Sequence, residues 1–599
     1  MNGSDMAFAE PAPRRVPAKL SLIPVCLAAL LIALLAGCIV ILASVPPVDR
    51  DALTHHLAVP KLYLKHGGMV EIPSVPFSYY PMNLDLLYLI PLYFGNDIVP
   101  KYIHFAFALL TAWLIYGYLR RRLEGPLWGL LGAFLFLSLP VIVKLSVTVY
   151  VDLGMIFFST ASLLYLLKWA ESGLSTRLLI LSGLFCGLAL GTKYNALISL
   201  LLLTALVPIL YIRSANGMKL QPSATEGRNP SPQGAALVSP VVLRAVCHTA
   251  VFVVVALLVC SPWMIRNIVW TGNPLYPLYQ GFFGSIQHAP GEGFDHIDAS
   301  QTEKEPDAEE AINHFAARRL VFNESPIETL TIPIRIFFQG QDDNPRLFDG
   351  RLNPYLVIFP IFAFLLKKKG RRPFDQTERA VLLAFSALFI LFAFFQADMR
   401  IRYVGPAIPP LVILSVFGLN RLFGWLGDAA DRRRAACAGG AAAVLLVWLL
   451  GQNLLYVAEQ FRVIDPISYL SGELNRDQYI RKFRAEYDVI RYANANLAPG
   501  EKIICLFMGN RIYYSDRDMI QADGFFRNAL LRSATAGDLF RKVGCLEASH
   551  LLVRLDVLDG FADGFDPDAR RCLKTFFMSE LDLVFTSRGY ALFKLKETS

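Results

Sequence analysis

Long apolar stretches separated by short polar segments occupy most of the chain between residues 20 and 456. An α-helix needs roughly 20 apolar residues to cross the hydrocarbon core of a bilayer, and most of these stretches approach that length. The pattern therefore predicts an all-α polytopic membrane domain with about eleven transmembrane helices. The predicted spans are residues 20–44, 99–119, 127–145, 151–169, 176–192, 195–212, 241–262, 353–366, 379–397, 403–421 and 434–456.

Clusters of lysine and arginine between the apolar stretches indicate how the chain is oriented. The apolar piece 82–94 is decisive, because a crossing there would place Arg120, Arg121 and Arg122 outside and would invert every later loop. Cytoplasmic loops are enriched in basic residues, so this piece of roughly 13 residues is predicted to lie along the membrane surface. The predicted cytoplasmic N-terminus is 1–19. The predicted extracytoplasmic regions are 45–98, the short turn 146–150, the long loop 263–352 and the chain after about 457.

The region 480–599 is more polar and has the pattern of a small soluble α/β domain, which this orientation makes extracytoplasmic. Helical spacing of apolar residues from Phe483 to Leu497 predicts a helix that ends at Pro499-Gly500, and another helix is predicted at 537–547. Buried strands are predicted at 503–507, 551–553 and 583–585, and an edge strand at 591–595.

The composition of the chain is that of a membrane protein, and it limits the classes of partner to expect. The chain is 54% hydrophobic and only 18% charged, whereas soluble domains carry about 25% charged residues. The net charge of +8 comes from basic clusters between apolar runs, where membrane topology explains them. We therefore expect membrane lipids, and no nucleic acid, among the partners. The nine cysteines show no CxxC spacing. A disulfide between Cys545 and Cys572 is an open alternative if the C-terminal region is extracytoplasmic.

Four basic residues interrupt the predicted outer ends of the membrane helices. They are Lys193, Arg266, Arg400 and Arg402. Cations at that depth are costly unless they are paired or used. Together they would make a receptor for a phosphate or diphosphate at headgroup level, with arginine as a planar fork and lysine as a point charge. The alternative is that these side chains snorkel to water or pair with local carboxylates such as Asp398.

Three aspartates, Asp49, Asp51 and Asp152, are the candidate carboxylates on the same outer side. Asp51 precedes a predicted surface helix over residues 52–65, and Asp152 stands where an apolar run begins. Each is therefore also placed to cap a helix, a position that aspartate favours. Asp49 is interpreted as a neighbour of the functional carboxylate.

His55 and His56 follow these aspartates in the first outer loop. Adjacent side chains on a helix point about 100° apart, so the two rarely share one metal ion without further ligands. The sequence has no decisive metal-ligand cluster, and a divalent ion is left open as a cofactor. It also lacks the GxxxxGK[ST], HExxH and GxSxG motifs, so it gives no support to ATP-driven or zinc-peptidase chemistry.

Taken in order, these elements resemble the integral-membrane glycosyltransferases of the GT-C fold that use polyprenyl-phosphate sugars. This group includes protein O-mannosyltransferases, the lipid A aminoarabinose transferase and lipopolysaccharide-core transferases. The similarity covers roughly residues 20–425, and the family usually has tyrosine where His55 stands. The motifs are Asp51 to Leu57 with Pro60-Lys61, Tyr150-Val151-Asp152, Gly191-Thr192-Lys193-Tyr194, Pro262-Trp263 with Arg266-Asn267 and Thr271 to Pro274, and Arg400-Ile401-Arg402-Tyr403 with Pro406 and Pro409.

The resemblance implies sugar transfer from a polyprenyl phosphate to an acceptor hydroxyl on the outer face of the plasma (inner) membrane. The acceptor would be a glycan, a lipid or a protein. Such a reaction needs one carboxylate to take the acceptor proton and cations to stabilise the departing phosphate. A glycosidase would instead need two facing carboxylates. The resemblance implies that Asp51 is the base and that Asp152 orients the acceptor or the base, or helps to hold a divalent ion. The residues implied to bind the phosphate are Lys193, Arg266, Arg400 and Arg402, with Tyr194 and Tyr403. His55, His56 and Lys61 are implied to support the first loop.

Two other classes of protein remain open at this stage. A secondary transporter would place its charges near the bilayer midplane and often shows paired repeats, neither of which the sequence displays. A sensor or scaffold would keep its function in the C-terminal domain and would tolerate loss of Asp51. Among enzymes, the nearest alternative is a ligase that uses diphosphate-linked oligosaccharides.

Overall fold

A computed structural model describes residues 22–219, 240–283, 314–366, 374–394, 399–428 and 431–596. The predicted cytoplasmic N-terminus, 1–19, lies outside these residues, as does part of the predicted outer loop 263–352. The first half of the helical domain consists of α1 (Leu22–Ala43), α2 (Ala58–His66), α3 (Asn83–Tyr93), α4 (Val99–Leu123), α5 (Pro126–Leu137), α6 (Pro140–Ser146), α7 (Asp152–Glu171), α8 (Thr176–Leu190) and α9 (Ala196–Lys219). The second half consists of α10 (Pro240–Thr271), α11 (Gln280–Phe283), α12 (His314–Phe322), α13 (Pro326–Leu330), α14 (Ile332–Arg335), α15 (Tyr355–Leu365), α16 (Asp375–Phe394), α17 (Ile408–Gly427), α18 (Arg432–Ile464) and α19 (Pro466–Leu470).

The apolar helices confirm a multi-pass membrane protein. Within the described residues, eight helices are long and apolar enough to span a bilayer. A ninth span is formed if α5 and α6, which meet at a bend of 69°, are counted together, and α8 and α15 are shorter apolar helices. Each predicted span therefore contains a helix. The predicted surface piece is α3, whose 11 residues are too few to cross.

Small residues let the central helices approach closely. The hydroxyl of Ser162 on α7 donates to the carbonyl of Ser182 on α8 at 2.7 Å, and the hydroxyl of Ser182 donates back to the carbonyl of Ser162 at 2.8 Å. On the other face of α8, a Cβ at Gly187 would lie 2.5 Å from the carbonyl oxygen of Ala256 on α10. Such contacts are typical of helix association in membranes, where packing and interhelical hydrogen bonds replace the hydrophobic drive.

Helices α7 and α17 occupy the centre of the bundle. Within their most apolar windows, 78% of the residues are buried for α7 and 83% for the segment Ile401–Gly427 that contains α17, compared with 17% for α1. Asp152 is the first residue of α7, and Arg402 lies in the segment Ile401–Ala407 that leads into α17. Both residues therefore enter the interior of the bundle and not its lipid-facing surface.

The chain after α19 forms a small α/β domain, as predicted. Its elements are α20 (Arg476–Phe483), α21 (Tyr487–Asn496), β1 (Lys502–Leu506), β2 (Asp518–Gln521), α22 (Asp523–Leu531), α23 (Ala536–Gly544), β3 (His550–Arg554), α24 (Leu555–Asp563), α25 (Pro567–Thr575), β4 (Leu581–Ser587) and β5 (Tyr590–Leu595). The sheet order is β2-β1-β3-β5-β4. Strand β1 is parallel to β2 and β3, while β5 is antiparallel to β3 and β4.

Three details of this domain differ from the sequence predictions, and one open question is answered. The predicted edge strand, β5, lies inside the sheet because it pairs with both β3 and β4, and the edges are β2 and β4. The strand predicted to be buried at 583–585 belongs to β4, where Leu583 and Val584 are exposed because this edge strand has a neighbour on one side only. The helix predicted from Phe483 to Leu497 is broken into α20 and α21 and ends at Asn496. The disulfide left open does not form, since Cys545 is an exposed free thiol and Cys572 is a buried one.

Candidate active site

The first outer loop brings Asp51 to the start of a single π-helical turn, Ala52–His56. The carboxylate makes no capping hydrogen bond; its Oδ2 lies 2.7 Å from Nη1 of Arg402, and the two side chains are 19% and 11% exposed. Arg402 belongs to a 3₁₀ helix, Ile401–Ala407, that leads into α17. The ion pair excludes the capping alternative for Asp51. The continuous helix predicted for 52–65 is wrong, because the π-turn ends before α2 begins at Ala58.

Asp152 is the first residue of α7 and forms a second buried ion pair. The N-cap position of this helix is occupied by Val151, and Oδ1 of Asp152 accepts from Nζ of Lys193 at 2.7 Å. Lys193 lies in the turn between α8 and α9. Asp152 is fully buried, and its second oxygen, Oδ2, has no hydrogen-bond partner. The capping alternative is therefore excluded here as well.

Two aromatic rings join these ion pairs into one charged cluster, defined as Asp51, Asp152, Lys193 and Arg402. The guanidinium of Arg402 lies 4.9 Å from the ring centroid of Tyr150 and 5.2 Å from that of Tyr403. The ammonium of Lys193 lies 5.3 Å from the same Tyr403 ring. Both cations thus face one aromatic side chain, a favourable arrangement in a desolvated site. The buried Nε of Arg402 also has no hydrogen-bond partner.

Asp49 and Asp51 differ in their electrostatic surroundings. Burial alone would raise the pKa of Asp51, but the nearby Arg402 guanidinium, together with smaller contributions from His55 and His56, outweighs burial and lowers that pKa below its usual value of 3.8. Burial raises the pKa of Asp49 despite the nearby charges of Lys101 and Arg484. Asp51 is therefore ionised at neutral pH, and of these two aspartates it is the one that belongs to the charged cluster.

His55 and His56 pack beside the cluster. The His55 ring stacks on Phe77, with centroids 4.5 Å apart, and its Nδ1 lies 2.8 Å from the hydroxyl of Thr54. Nδ1 of His56 lies 2.7 Å from Oδ1 of Asp85 on α3. Burial lowers the pKa of His56 to about 3 and raises that of Asp85 to about 7, so His56 is neutral at neutral pH. These contacts hold the first loop against α3.

Asp85 is a buried partner that the sequence analysis missed. It is 2% exposed and is the one acidic residue in the sequence of α3, NLDLLYLIPLY. A carboxylate within an apolar helix is costly and usually has a partner. The single acidic residue in an apolar helix could have indicated a buried partner. The sequence does not indicate which residue it is, because His56 lies 29 residues away.

Arg266 on α10 anchors the second half of the first loop. Its Nη2 donates to the carbonyl oxygens of Tyr79 at 2.6 Å and Tyr80 at 3.1 Å. The guanidinium lies between Trp263 and Trp270, 4.8 Å from each ring centroid. Its buried Nη1 has no hydrogen-bond partner. Arg266 therefore ties the loop to α10 and keeps one unused donor.

Tyr194 links this group to the charged cluster, since it follows Lys193 directly in the chain. Its hydroxyl accepts from Nδ2 of Asn267 at 3.2 Å and donates to the carbonyl of Tyr276 at 3.2 Å. Its ring lies 5.2 Å from the ring of Tyr80. Tyr194 thus borders the groups around both Lys193 and Arg266.

Two other predicted residues belong to separate groups. Nη1 of Arg400 lies 3.4 Å from Oδ2 of Asp349, which also pairs with Lys144 at 3.2 Å. Nζ of Lys61 donates to the carbonyls of Tyr513 at 3.0 Å and Ser515 at 2.9 Å in the C-terminal domain. Asp398, the pairing partner considered for these cations, lies outside the described residues.

The cluster does not have the ligands of a resident metal ion. Within the described ranges, no group of three or more His, Cys, Asp or Glu side chains is placed to hold one. Asp152, the residue considered for this role, has the ammonium of Lys193 at 2.7 Å. The charged cluster therefore combines two carboxylates with two fixed cations.

A cavity of about 620 Å³ lies between α2 and the C-terminal domain. Its walls include Leu62 and Ile72 on one side and Ile512 and Met519 on the other. Lys61 is the one predicted site residue that lines it, and none of the charged cluster does. The cavity is therefore separate from the ion pairs described above.

Comparison with known proteins finds one matching family model and several similar folds. Residues 84–222 match the family described as dolichyl-phosphate-mannose-protein mannosyltransferase, a stretch that runs from α3 into the segment after α9. No curated protein matches the chain in sequence.

Solved structures extend the similarity to nearly the whole chain. The crystal structure of ArnT from Cupriavidus metallidurans bound to undecaprenyl phosphate superposes with a TM-score of 0.54 at 14% identity, covering 96% of this chain and 98% of that one. The apo structure of the same ArnT gives the same score and identity over 95% and 98%. The archaeal oligosaccharyltransferase AglB from Archaeoglobus fulgidus, in complex with an inhibitory peptide and a dolichol-phosphate, gives a lower TM-score of 0.45 at 11% identity, over 90% and 70%. The predicted fold is confirmed, and so is the resemblance to membrane glycosyltransferases of the GT-C fold.

Proposed function

We propose that this protein is a GT-C glycosyltransferase that moves a sugar from a polyprenyl-phosphate donor to an acceptor hydroxyl. The observation that carries the proposal is the charged cluster, in which Asp51, Asp152, Lys193 and Arg402 meet in the interior of the bundle. The GT-C fold and the matching mannosyltransferase segment support it. ArnT, which has a similar fold, was solved with undecaprenyl phosphate bound.

In this proposal Asp51 is the general base. It takes the proton of the acceptor hydroxyl while that oxygen attacks the anomeric carbon of the donor sugar. The bond from that carbon to the phosphate oxygen breaks, and the polyprenyl phosphate leaves with the electron pair. A strong general acid is not needed, because the leaving group departs as an anion. Asp152, fixed by Lys193 at 2.7 Å, is proposed to orient the acceptor.

Arg402 and Lys193 are proposed to bind the donor phosphate and to stabilise the charge that grows on it. The buried Nε of Arg402 supports this role because it is a donor without a partner. A phosphate that binds Arg402 would also compete with Asp51 for the guanidinium. Weakening that ion pair would raise the basicity of Asp51 when the donor arrives.

The other residues proposed to bind the donor phosphate are supported to different degrees. Arg266 has a free buried donor, Nη1, and the hydroxyl of Tyr403 is proposed to add a hydrogen bond. Tyr194 stays a prediction, since its hydroxyl donates to the carbonyl of Tyr276. Arg400 stays a prediction, since its ion pair with Asp349 lies in a different group. His55 and His56 are proposed to support the loop through Phe77 and Asp85.

We place the reaction on the extracytoplasmic face of the plasma membrane. The support is the one-sided distribution of basic clusters in the sequence. The proposed membrane domain is 20–456, although α18 continues to Ile464, and the proposed extracytoplasmic domain is 480–599. The donor is a lipid-linked sugar, and the acceptor is a glycan, a lipid or a protein.

The test compares Asp51→Asn with Asp49→Asn in a host from which the gene has been deleted. Mass spectrometry of envelope glycans, lipids and glycoproteins first identifies the modification that deletion removes and the wild-type chain restores. Asp51→Asn keeps volume and hydrogen bonding but loses basicity, so restoration should fall by about 10²–10⁴-fold. Asp49→Asn should cost far less, because its neighbours are Lys101 and Arg484.

Each outcome has a distinct meaning. Near-normal restoration by Asp51→Asn would remove Asp51 from the role of base. Deletion without any change in envelope glycans, lipids or glycoproteins would contradict the proposed enzyme class. Supplying a monophosphate-linked sugar or a diphosphate-linked oligosaccharide to purified protein separates the proposed transferase from a ligase.

A further inference from the structure

The C-terminal domain contacts the first outer loop on both sides of Asp51. The hydroxyl of Tyr514 donates to the carbonyl oxygen of Pro47 at 2.7 Å. The backbone N–H groups of Ile512 and Tyr513 both donate to the carbonyl oxygen of Leu53, at 3.2 and 3.1 Å. These bonds reach the backbone four residues before Asp51 and two residues after it.

A further set of bonds strengthens this contact. Nε of Arg484, between α20 and α21, donates to the carbonyl oxygen of Val48. In the opposite direction, Nζ of Lys61 donates to the carbonyls of Tyr513 and Ser515. Three loop carbonyls that flank Asp51 are thus held by donors from the C-terminal domain.

The contacting segment is itself firmly held. Tyr513 is 9% exposed, and its hydroxyl donates to Oδ2 of Asp97 at 3.1 Å. Asp97, at the start of α4, also pairs with Arg476 of α20. The Tyr514 ring packs against Tyr487 and Tyr513, with centroids 5.3 and 5.0 Å away. The hydroxyl of Tyr514 therefore projects from a packed surface.

The pattern of these bonds bears on their role. Simple adhesion between domains needs only side-chain contacts at the surface. Here the acceptors are backbone carbonyls at 47, 48 and 53, so the bonds fix the path of the main chain that carries Asp51. Small displacements of a catalytic group reduce rates strongly, since reacting atoms must be held in a near-attack geometry.

We propose that the C-terminal domain positions the base: Tyr514, Arg484 and the backbone of 512–513 hold the first loop so that Asp51 stays against Arg402. These are positioning residues, because they act through the loop and do not contact the reacting atoms. The inference rests on the proposed function, in which Asp51 is the base. It gives the C-terminal domain a role in the transfer step itself.

The test is Tyr514→Phe, which removes one O–H donor and keeps the packed ring. The matched control is Tyr487→Phe, because the Tyr487 hydroxyl donates to Asp477 within the C-terminal domain, at 2.8 Å, and not to the loop. Restoration rates are measured by mass spectrometry in the deletion host at matched protein levels. Binding is measured with undecaprenyl phosphate on the purified full-length chain.

We expect Tyr514→Phe to slow transfer by about three- to tenfold, the loss for one neutral hydrogen bond, with unchanged affinity for undecaprenyl phosphate. Tyr487→Phe should change neither the transfer rate nor the affinity for undecaprenyl phosphate. In an Asp51→Asn background, Tyr514→Phe should cause no further loss of the residual rate, because its effect is exerted through Asp51. A purely structural effect would lower the rate by the same factor in both backgrounds.

Three results would overturn the inference: an unchanged rate in Tyr514→Phe, an equal loss in Tyr487→Phe, or a loss that persists in full with Asp51→Asn. An inactive Asp51→Asn combined with a fully active Tyr514→Phe would refute only the positioning role. A fully active Asp51→Asn would instead refute the proposed base. Arg484→Gln, which removes the donor to Val48, is a second variant that should behave like Tyr514→Phe.

Discussion

Replacing Arg402 with methionine tests how the charged cluster sets the ionisation of Asp51. The change removes the cation that lies 2.7 Å from the carboxylate and keeps an unbranched side chain in the same space. Burial, which opposes ionisation of Asp51, would then act without its main counterweight. The pKa of Asp51 should therefore move from below its usual value of 3.8 to above it.

The size of the change follows from Coulomb's law. Two unit charges about 4 Å apart interact by about 4 kcal/mol at an effective dielectric constant of about 20, the value appropriate to protein sites. A pKa difference of one corresponds to about 1.4 kcal/mol, so the carboxylate should become harder to ionise by about two to three pH units. Solvent screening weakens this electrostatic interaction little, since the side chains of Arg402 and Asp51 are only 11% and 19% exposed.

The assay is the pH dependence of kcat/KM, which reports the ionisation of groups in the free enzyme. A lowered pKa keeps the wild-type base ionised through the neutral and mildly acidic range, and activity falls only at strongly acidic pH. In Arg402→Met the acid limb should lie about two to three pH units higher. The matched control is Arg351→Met, which removes a cation that pairs with Glu459 at 2.8 Å.

The position of the limb is informative even though Arg402→Met should also weaken donor binding. Weaker binding lowers kcat/KM at every pH, whereas a change in the base moves the limb along the pH axis. Identical acid limbs in the wild type and Arg402→Met would refute Asp51 as the titrating base or Arg402 as its partner. A shifted limb in Arg351→Met would show that the effect is not specific to this ion pair.

Two further substitutions test the packing of the site. Lys193→Met leaves the carboxylate of Asp152 buried and unpaired, which should cost about 3–5 kcal/mol and lower the unfolding temperature in detergent. Adding Asp152→Asn should recover most of that stability but not the sugar-transfer activity. Equal stability of Lys193→Met and the double variant would contradict the buried pair. In Gly191→Ala, the new Cβ would lie 2.3 Å from Nδ2 of Asn83, so we expect the free energy of unfolding to fall by about 1–3 kcal/mol. Gly117→Ala has nothing within 4 Å and should not destabilise, and similar unfolding temperatures of the two alanine variants would refute the packing argument.

The membrane domain could be predicted because hydrophobic length is a local property of the chain. Every predicted span contains a helix, although α10 and α18 continue beyond the predicted ends. The sequence also singled out the members of the charged cluster, since charges at membrane depth stand out against apolar neighbours.

Local patterns failed where a long-range contact decides the structure. The alternating run in β5 indicates one buried face but not how many neighbours the strand has, and β5 pairs on both sides. Asp85 carried no sign of its pairing with His56, and the capping alternatives for Asp51 and Asp152 could not be excluded. Each of these questions depends on which side chain arrives from elsewhere in the chain.

The sequence by itself determined the class of architecture and singled out the four members of the charged cluster. The tertiary structure alone decided which charges pair: Asp51 with Arg402, Asp152 with Lys193, and Arg400 with Asp349. It also decided that Lys61 contacts the C-terminal domain. The physical reason is that apolar length acts through neighbouring residues, whereas a buried charge is stabilised only by whichever opposite charge the packed helices bring to it.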